Sequence, residues 1–329
     1  MSRPKLKKVA YLFGAGATHA ELANLGDALL DERTGLLISN VSARVIEKAR
    51  KSKDYLKNIE MVSSAKGSLN IEMLISLIEN SKIDRWEAKT SRLKQLVRKD
   101  IEGILTKKRT DQFYLHKALL KLHKNKATQA TEKLIGLISL NYDDVLDQAY
   151  EEFYGEPNYC FSPEEEALAS RKIPLLKLHG SFNWRDKRIR GRTRTIEIIP
   201  LGSSKNYMYA PYNFIWNRAF EVLTECDTLR VIGCSLSPND AHLIDLFFKA
   251  HLEKGAAFDI EIISSARTFE AIKGNYGFFP KIRKLTEIEP ALVAELDPPN
   301  PFKTWLKSKA EKVLNKGISH LKYLKKLAV

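Results

Sequence analysis

Five short, largely apolar runs in this chain each end on residues able to do chemistry. Val9–Phe13 leads into Gly14-Ala15-Gly16-Ala17-Thr18-His19, and Leu134–Leu140 into Asn141-Tyr142-Asp143-Asp144. Pro174–Leu178 leads into His179-Gly180-Ser181, Leu229–Ile232 into Gly233-Cys234-Ser235-Leu236-Ser237, and Phe258–Ile263 into Ser264-Ser265. Closely spaced glycines after a strand let backbone N–H groups approach a diphosphate, and a following helix N-terminus adds a positive dipole. Hydroxyls suit phosphate or ribose. Asn141, Asp143 and His179 supply a polar positioning group, a carboxylate and an imidazole. With an ordinary pKa of about 6.5, an imidazole is largely neutral at cell pH and can act as a general base. The inventory suits a dinucleotide and a polar reaction at its ribose. Taken singly each piece has another use: the glycines can simply turn the chain, Asn141 and Asp143 can cap a helix, and His179 can sit bonded in a core.

Those residues converge only if the apolar runs are strands of one sheet. Continuous apolar runs are expected of strands buried on both faces, and helical patterns lie between them at about 143–154, 212–226 and 239–253. That alternation predicts an α/β domain with a mainly parallel, Rossmann-like sheet, whose ligand sits outside the strands' carboxyl ends. A further strand is expected over Thr195–Leu201, and the first helix from a Thr18 cap. From Asp31 to Lys133 the spacing is helical throughout, with faces such as Leu69, Met73, Leu74, Leu77, Ile78 and Leu115, Ala118, Leu119, Leu122. The expected organisation is 1–30 plus 134–290 as the nucleotide-binding domain and 31–133 as a helical insertion or cap. Residues 291–329 then form a Pro-marked linker and a basic amphipathic helix carrying Trp305, Leu314, Ile318 and Leu321.

The chain has 329 residues and a net charge of +14. The excess gathers in 303–329, where eight lysines face one glutamate, and in an arginine-rich stretch of Arg185, Lys187, Arg188, Arg190, Arg192 and Arg194. Such segments could meet nucleic acid or another anion, or stay solvated. No apolar stretch approaches membrane-spanning length, and the first apolar run is too short for a signal peptide. Three scattered cysteines, Cys160, Cys226 and Cys234, offer no disulfide framework and no four-cysteine zinc site, so a reducing cytoplasmic setting is expected. A hydride-transfer Rossmann domain would want a third glycine where His19 stands, and no P-loop is present.

In order and wording the motifs Gly14-Ala15-Gly16-Ala17-Thr18, Leu140-Asn141-Tyr142-Asp143, Leu178-His179-Gly180-Ser181 and Gly233-Cys234-Ser235-Leu236 resemble the sirtuin, or silent information regulator, superfamily. The resemblance covers roughly 5–30 and 134–266. It implies a sirtuin-like (DHS-like) NAD⁺-binding fold that breaks the nicotinamide–ribose bond, with NAD⁺ as substrate; with no four-cysteine site in the sequence, no metal is expected. It further implies catalytic roles for Asn141, His179 and Asp143, and NAD⁺ contacts from Gly14, Ala15, Gly16, Ala17, Thr18, His19, Gly233, Ser235, Ser264 and Ser265. The chain departs from the family's protein deacylases: the region after His179-Gly180 holds Trp184 and the arginine stretch instead of a four-cysteine module. It is more similar to bacterial sirtuin-like NAD⁺ hydrolases of anti-phage defence. These imply an oligomer and a separate partner such as an ATPase, an Argonaute-type protein or a sensor. A nucleic-acid-binding or nuclease subunit on the same fold is the competing expectation.

Overall fold

The first apolar run becomes strand β1 (Lys7–Phe13), in which Val9 to Phe13 are fully buried. Successive strand residues point to opposite faces, so both faces of β1 are covered. The computed structural model describes residues 6–25, 34–51, 70–107, 113–168, 172–184, 187–189, 192–194, 198, 206–237, 240–255, 258–264, 266–277, 279, 282–284 and 300–314. After β1 come α1 (Ala15–Asn24), α2 (Ile38–Arg50), α3 (Ile71–Ser81), α4 (Trp86–Lys107), α5 (Leu115–Lys124) and the single turn α6 (Lys126–Gln129). β2 (Glu132–Ser139), α7 (Val145–Tyr154), α8 (Pro163–Leu168), β3 (Leu175–Lys177) and a hairpin of β4 (Lys187–Ile189) with β5 (Arg192–Arg194) follow. The chain continues through α9 (Tyr212–Glu225), β6 (Thr228–Ile232), α10 (Ala241–Lys254), β7 (Asp259–Ile263), α11 (Ala266–Ile272), β8 (Ile282–Lys284) and α12 (Pro301–Leu314).

Six strands form one parallel sheet in the order β3-β2-β1-β6-β7-β8. Counted within the sheet this is the Rossmann order 3-2-1-4-5-6. The winding reverses between β1 and β6, and a crevice opens there at the strands' carboxyl ends. α1 starts ahead of the expected Thr18 because Gly14 takes the cap position, in extended conformation, and its carbonyl accepts from the Ala17 N–H at 2.9 Å. β8 and the small hairpin, with strands of three residues each, are too short to leave a readable pattern. The strand expected over Thr195–Leu201 lies outside the described residues except for Ile198, which is in no strand.

Two apolar cores form. The main one surrounds the sheet, and the second is built by α2, α3 and α4 around Val41, Val45, Ile71, Leu74, Ile75, Leu93 and Val97. On α3 the buried face is Ile71, Leu74, Ile75 and Ile78, an i, i+3, i+4, i+7 set that leaves Leu77 47% exposed. α5 packs Leu115, Leu119 and Leu120 into the main core. Its first turn is capped from α1: buried Glu21 accepts from the backbone N–H groups of Tyr114, Leu115 and His116 at 3.0, 3.1 and 2.8 Å. The His116 ring nitrogen Nδ1 donates to the same carboxylate at 2.7 Å. A carboxylate at a helix N-terminus satisfies orphan donors and complements the dipole, so α5 is locked to the helix that follows the glycine segment.

The basic C-terminal helix docks on its own chain. Trp305 is buried, edge-on to Tyr11, with the Arg230 guanidinium over its ring at 5.6 Å. Lys309 donates to Glu132 at 2.7 Å. The apolar stripe beginning at Trp305 thus finds its partner surface in the main core, while Ile318 and Leu321 lie outside the described residues. Arg230, fully buried on β6, is bidentate to Glu132 at 2.8 and 2.6 Å and also reaches Glu261 and the Tyr11 hydroxyl. Burial alone would raise the Glu132 carboxyl, but Arg230 and Lys309 override it and hold it well below the ordinary carboxylate range.

Removing one member of a buried ion network strands the others. Glu132→Gln is therefore expected to cost about 3 kcal/mol at neutral pH, read from urea unfolding. A folded-state carboxyl held low contributes stability above the unfolded value of about 4.3 and loses it as pH falls further. The gap between wild type and variant should be flat from pH 8 to 6 and narrow below about pH 4. A gap unchanged at low pH would contradict the network.

Candidate active site

At the switch point two loops meet backbone to backbone. The Gly14 N–H donates to the Ile232 carbonyl and the Gly16 N–H to the Gly233 carbonyl, both at 3.0 Å. A Cβ on Gly14 would lie 2.5 Å from the Gly233 oxygen, and one on Gly233, where φ is +62°, would lie 2.2 Å from the Ala17 nitrogen. The glycines therefore serve to close the β1–α1 loop onto the β6–α10 loop, where the sequence alone suggests room for a diphosphate. The first turn of α1 carries no acidic side chain of its own against the positive end of its dipole.

A cavity of about 570 Å³ opens over this junction. Gly14, Ala15, Gly16, Asn141, Asp143, His179, Gly233, Ser235 and Ser264 line it, which brings together the chemical groups from five strand ends. Ala17, Thr18 and His19 do not line it. Ala17 is fully buried against Gly233. The Thr18 hydroxyl, expected near phosphate, donates instead to the Asp143 carboxylate at 3.0 Å. The ring of His19 accepts from the Leu36 N–H at 3.4 Å, and burial keeps its pKa below the ordinary value. Ser265 lies outside the described residues.

Asn141 spends both amide hydrogens inside the protein, on the Gly14 carbonyl at 3.1 Å and the Thr18 hydroxyl at 3.0 Å. That leaves its carbonyl oxygen as the group it can offer the cavity, an acceptor suited to a water or a hydroxyl. Asp143 accepts from Thr18 and from the Val145 N–H at 3.2 Å, so it caps α7 and faces the cavity at once. Burial pushes its carboxyl above the ordinary range, against the pull of Lys177. Buried Lys177 holds this loop by donating to the Asp143 carbonyl while pairing with Asp147 at 2.8 Å.

His179 is 4% exposed, with Nε2 hydrogen-bonded to the Asp240 carboxylate at 3.1 Å. Trp216 packs edge-on to the imidazole and donates its indole N–H to the Leu178 carbonyl at 3.1 Å, which fixes the strand end that carries His179. Asp240 also caps α10 through the Leu243 N–H at 3.2 Å. Asp240 does not stand out in the sequence. Its available signal was an acidic residue at a helix start, a pattern that caps alone explain. Glu72 was also missed: it enters the cavity from α3, with the Tyr142 hydroxyl donating to it at 2.6 Å. Cys234 lines the cavity too, but burial pushes its thiol up to about 11, so little nucleophilic thiolate exists near neutral pH. Among the described residues, no group of three or more His, Cys, Asp or Glu could hold a metal ion.

A family model described as SIR2-like domain matches residues 136–262, from β2 through β7. Among solved structures, the chain is similar to one described as "Structural Basis for the Mechanism and Regulation of Sir2 Enzymes", at 13% identity over 93% of each chain with a TM-score of 0.38. It is also similar to a Sir2 homologue–NAD complex, at 14% identity over 93% of this chain and 91% of that one, TM-score 0.39. A Sir2 homologue mutant in complex with 2′-O-acetyl ADP ribose gives 14% identity over 95% of each chain, TM-score 0.40. No curated protein matches the chain.

The loop junction makes a quantitative demand. Gly233→Ala should cost well over 2 kcal/mol, because left-handed strain adds to an overlap with backbone that has no room to move. Gly255→Ala shares a positive φ but has open space around it, so it should cost only about 1–2 kcal/mol. Equal costs in chemical denaturation would mean that the close approach is unimportant.

Proposed function

We propose that the chain is an NAD⁺ glycohydrolase, cleaving the nicotinamide–ribose bond to give nicotinamide and ADP-ribose. One observation carries this reading: a helix N-terminus, the Asn141 carbonyl oxygen and an Asp240-tethered His179 converge on one cavity large enough for a nucleotide. The SIR2-like match over 136–262 and the order of the sequence motifs support NAD⁺ as the dinucleotide. The positive end of α1 faces the diphosphate, by its dipole more than by the Gly14 and Gly16 N–H groups, which are spent on Ile232 and Gly233. Ser235 and Ser264 serve the polar edges of the nucleotide, and Asp143 the nicotinamide carboxamide.

Nicotinamide leaves as a neutral base, so the reaction needs no general acid. It needs a dry, oriented ribose and one directed water. The Asn141 oxygen accepts a hydrogen bond from that water, and His179 takes its proton directly or through a ribose hydroxyl. Asp240 is a positioning residue that fixes the imidazole orientation. Water replaces an acyl-lysine as acceptor here, in keeping with a chain whose three cysteines cannot build the deacylases' four-cysteine module. The biological role we propose is NAD⁺ depletion during anti-phage defence, as an oligomer or with a partner protein.

Pure protein incubated with NAD⁺ should release free nicotinamide. Asn141→Ala and His179→Ala should each lower the rate at least about 100-fold with the fold intact. Asp240→Asn should lower kcat at least tenfold while KM stays within about threefold, because a misdirected base does not weaken binding. Near-normal turnover in folded Asn141→Ala or His179→Ala protein would remove the assignment. In infected cells, NAD⁺ should collapse with the wild-type chain and hold steady with Asn141→Ala.

A further inference from the structure

Among the described residues, the buried carboxylates other than Glu72 each pair with a cation or accept at least one backbone N–H. Glu21 accepts three backbone N–H groups and a histidine; Asp100 meets Arg44 and Lys48; Asp147 meets Lys177; Glu261 meets Arg230. Asp143 and Asp240 each accept a backbone N–H. Glu72 is as buried as these, at 6% exposure, yet its single hydrogen bond among the described residues comes from the Tyr142 hydroxyl. Among the described residues no Lys or Arg forms an ion pair with it. An isolated buried carboxylate costs several kcal/mol, so its retention needs a reason.

Helix capping does not supply one. Asn70 already caps α3 through the Met73 N–H at 2.8 Å, and Ser42 accepts from the Ile71 N–H at 2.9 Å. A neutral glutamine could receive the Tyr142 hydroxyl equally well. The cavity is what remains. Glu72 lines it together with His179 and Asp240, from a wall to which the helical segment contributes Leu37, Val97 and Ile101 beside the neutral polar Ser39 and Asn70. Burial raises its carboxyl, while Tyr142 and His179 pull it back down. Beyond the α3 dipole and the neighbouring His179, no cation among the described residues meets this group, and a cationic part of a ligand would do so.

We propose that Glu72 is a further catalytic residue, an anion facing the nicotinamide ribose that opposes the positive charge developing there as the glycosidic bond breaks. The inference rests on the NAD⁺ glycohydrolase reading. The C1′–N bond breaks with its electron pair passing to the nicotinamide nitrogen, which discharges the ring and leaves the ribose cationic. Water adds to C1′ and its proton goes to His179. A carboxylate in a low-dielectric wall stabilises that charge strongly without having to reorganise. The helical segment thereby contributes a reacting group to the site as well as a cover.

The same geometry predicts a preference for a cationic nicotinamide ring, which can be measured without turnover. In a His179→Ala background, calorimetry should find NAD⁺ bound at least about tenfold more tightly than NADH, whose ring is neutral. Adding Glu72→Gln should weaken NAD⁺ about tenfold and leave NADH within threefold. With His179 intact, Glu72→Gln should lower kcat for nicotinamide release about 100-fold. Glu72→Asp keeps the charge and should retain the NAD⁺ preference with a partial loss of kcat. If Glu72 is only structural, both variants will lose thermal stability while turnover per folded molecule and ring preference stay unchanged; that result overturns the inference and leaves the glycohydrolase standing. If the protein with Glu72 intact binds no NAD⁺, the glycohydrolase reading fails and takes this one with it.

Discussion

The architecture depends on the contact between two loops at the β1/β6 junction. Gly14 and Gly16 meet Gly233 at distances that no side chain tolerates, and the Gly16 N–H donates across the gap. This contact brings the start of α1 close to the loop after β6, and it leaves the carboxyl ends of two adjacent strands open above it. Asn141 then bonds the Gly14 carbonyl and Thr18, and Thr18 bonds Asp143. The β2–α7 loop is thereby referenced to the same junction. Three loops from separate stretches of sequence become one rigid floor, and the groups that face the cavity are the ones left over after that floor is built. A binding surface made this way is pre-organised, so binding does not have to order it.

Two buried charge clusters on the sheet differ in balance. Across the middle of the sheet, Arg230 gathers Glu261, the Tyr11 hydroxyl and Glu132 at the start of β2, with Lys309 from the C-terminal helix joining Glu132. Its charges cancel locally, and Trp305 covers it. At the carboxyl ends, Asp143, Asp240 and Glu72 outnumber the bases that line the cavity, and the helix dipole of α1 provides diffuse positive potential. The closed cluster acts as a clamp for the fold. The open one carries an electrostatic imbalance that a ligand with both anionic phosphates and a cationic ring would complete.

Much of this could be read in the sequence because strand ends are punctuated. An apolar run that stops at Gly, Asn, His or Ser gives both the strand and the residue at its carboxyl end, so the parallel sheet and nine of the cavity-lining residues were legible. Thr18 and His19 do not line the cavity because the helix starts at Ala15: one turn further on, their side chains bond to neighbouring elements. Asp240 was hidden by ambiguity, since an acid before a helix is explained by capping. Glu72 was hidden by distance. It sits in a strongly apolar helix pattern, Ile71 to Ile78, where one acid reads as a first-turn dipole residue. Only the packing of α3 against the Tyr142 loop gives it a role.

The helical segment between β1 and β2 therefore has a double character. Its second core shares Leu22, Tyr142, Val145 and Phe182 with the sheet domain's own loops, so the apolar contact that seats the segment also fixes the segment bearing Asn141 and Asp143. Any shift of α3 relative to the sheet would move Glu72 and the Tyr142 hydroxyl together, because the two share one short buried bond. A mobile cover would gain little from such coupling, whereas the wall we propose, holding a charge at a fixed distance from the ribose, would require it. The insertion is accordingly best understood as part of the site's floor plan, with its apolar face supplying low dielectric and Glu72 the charge that such surroundings make effective.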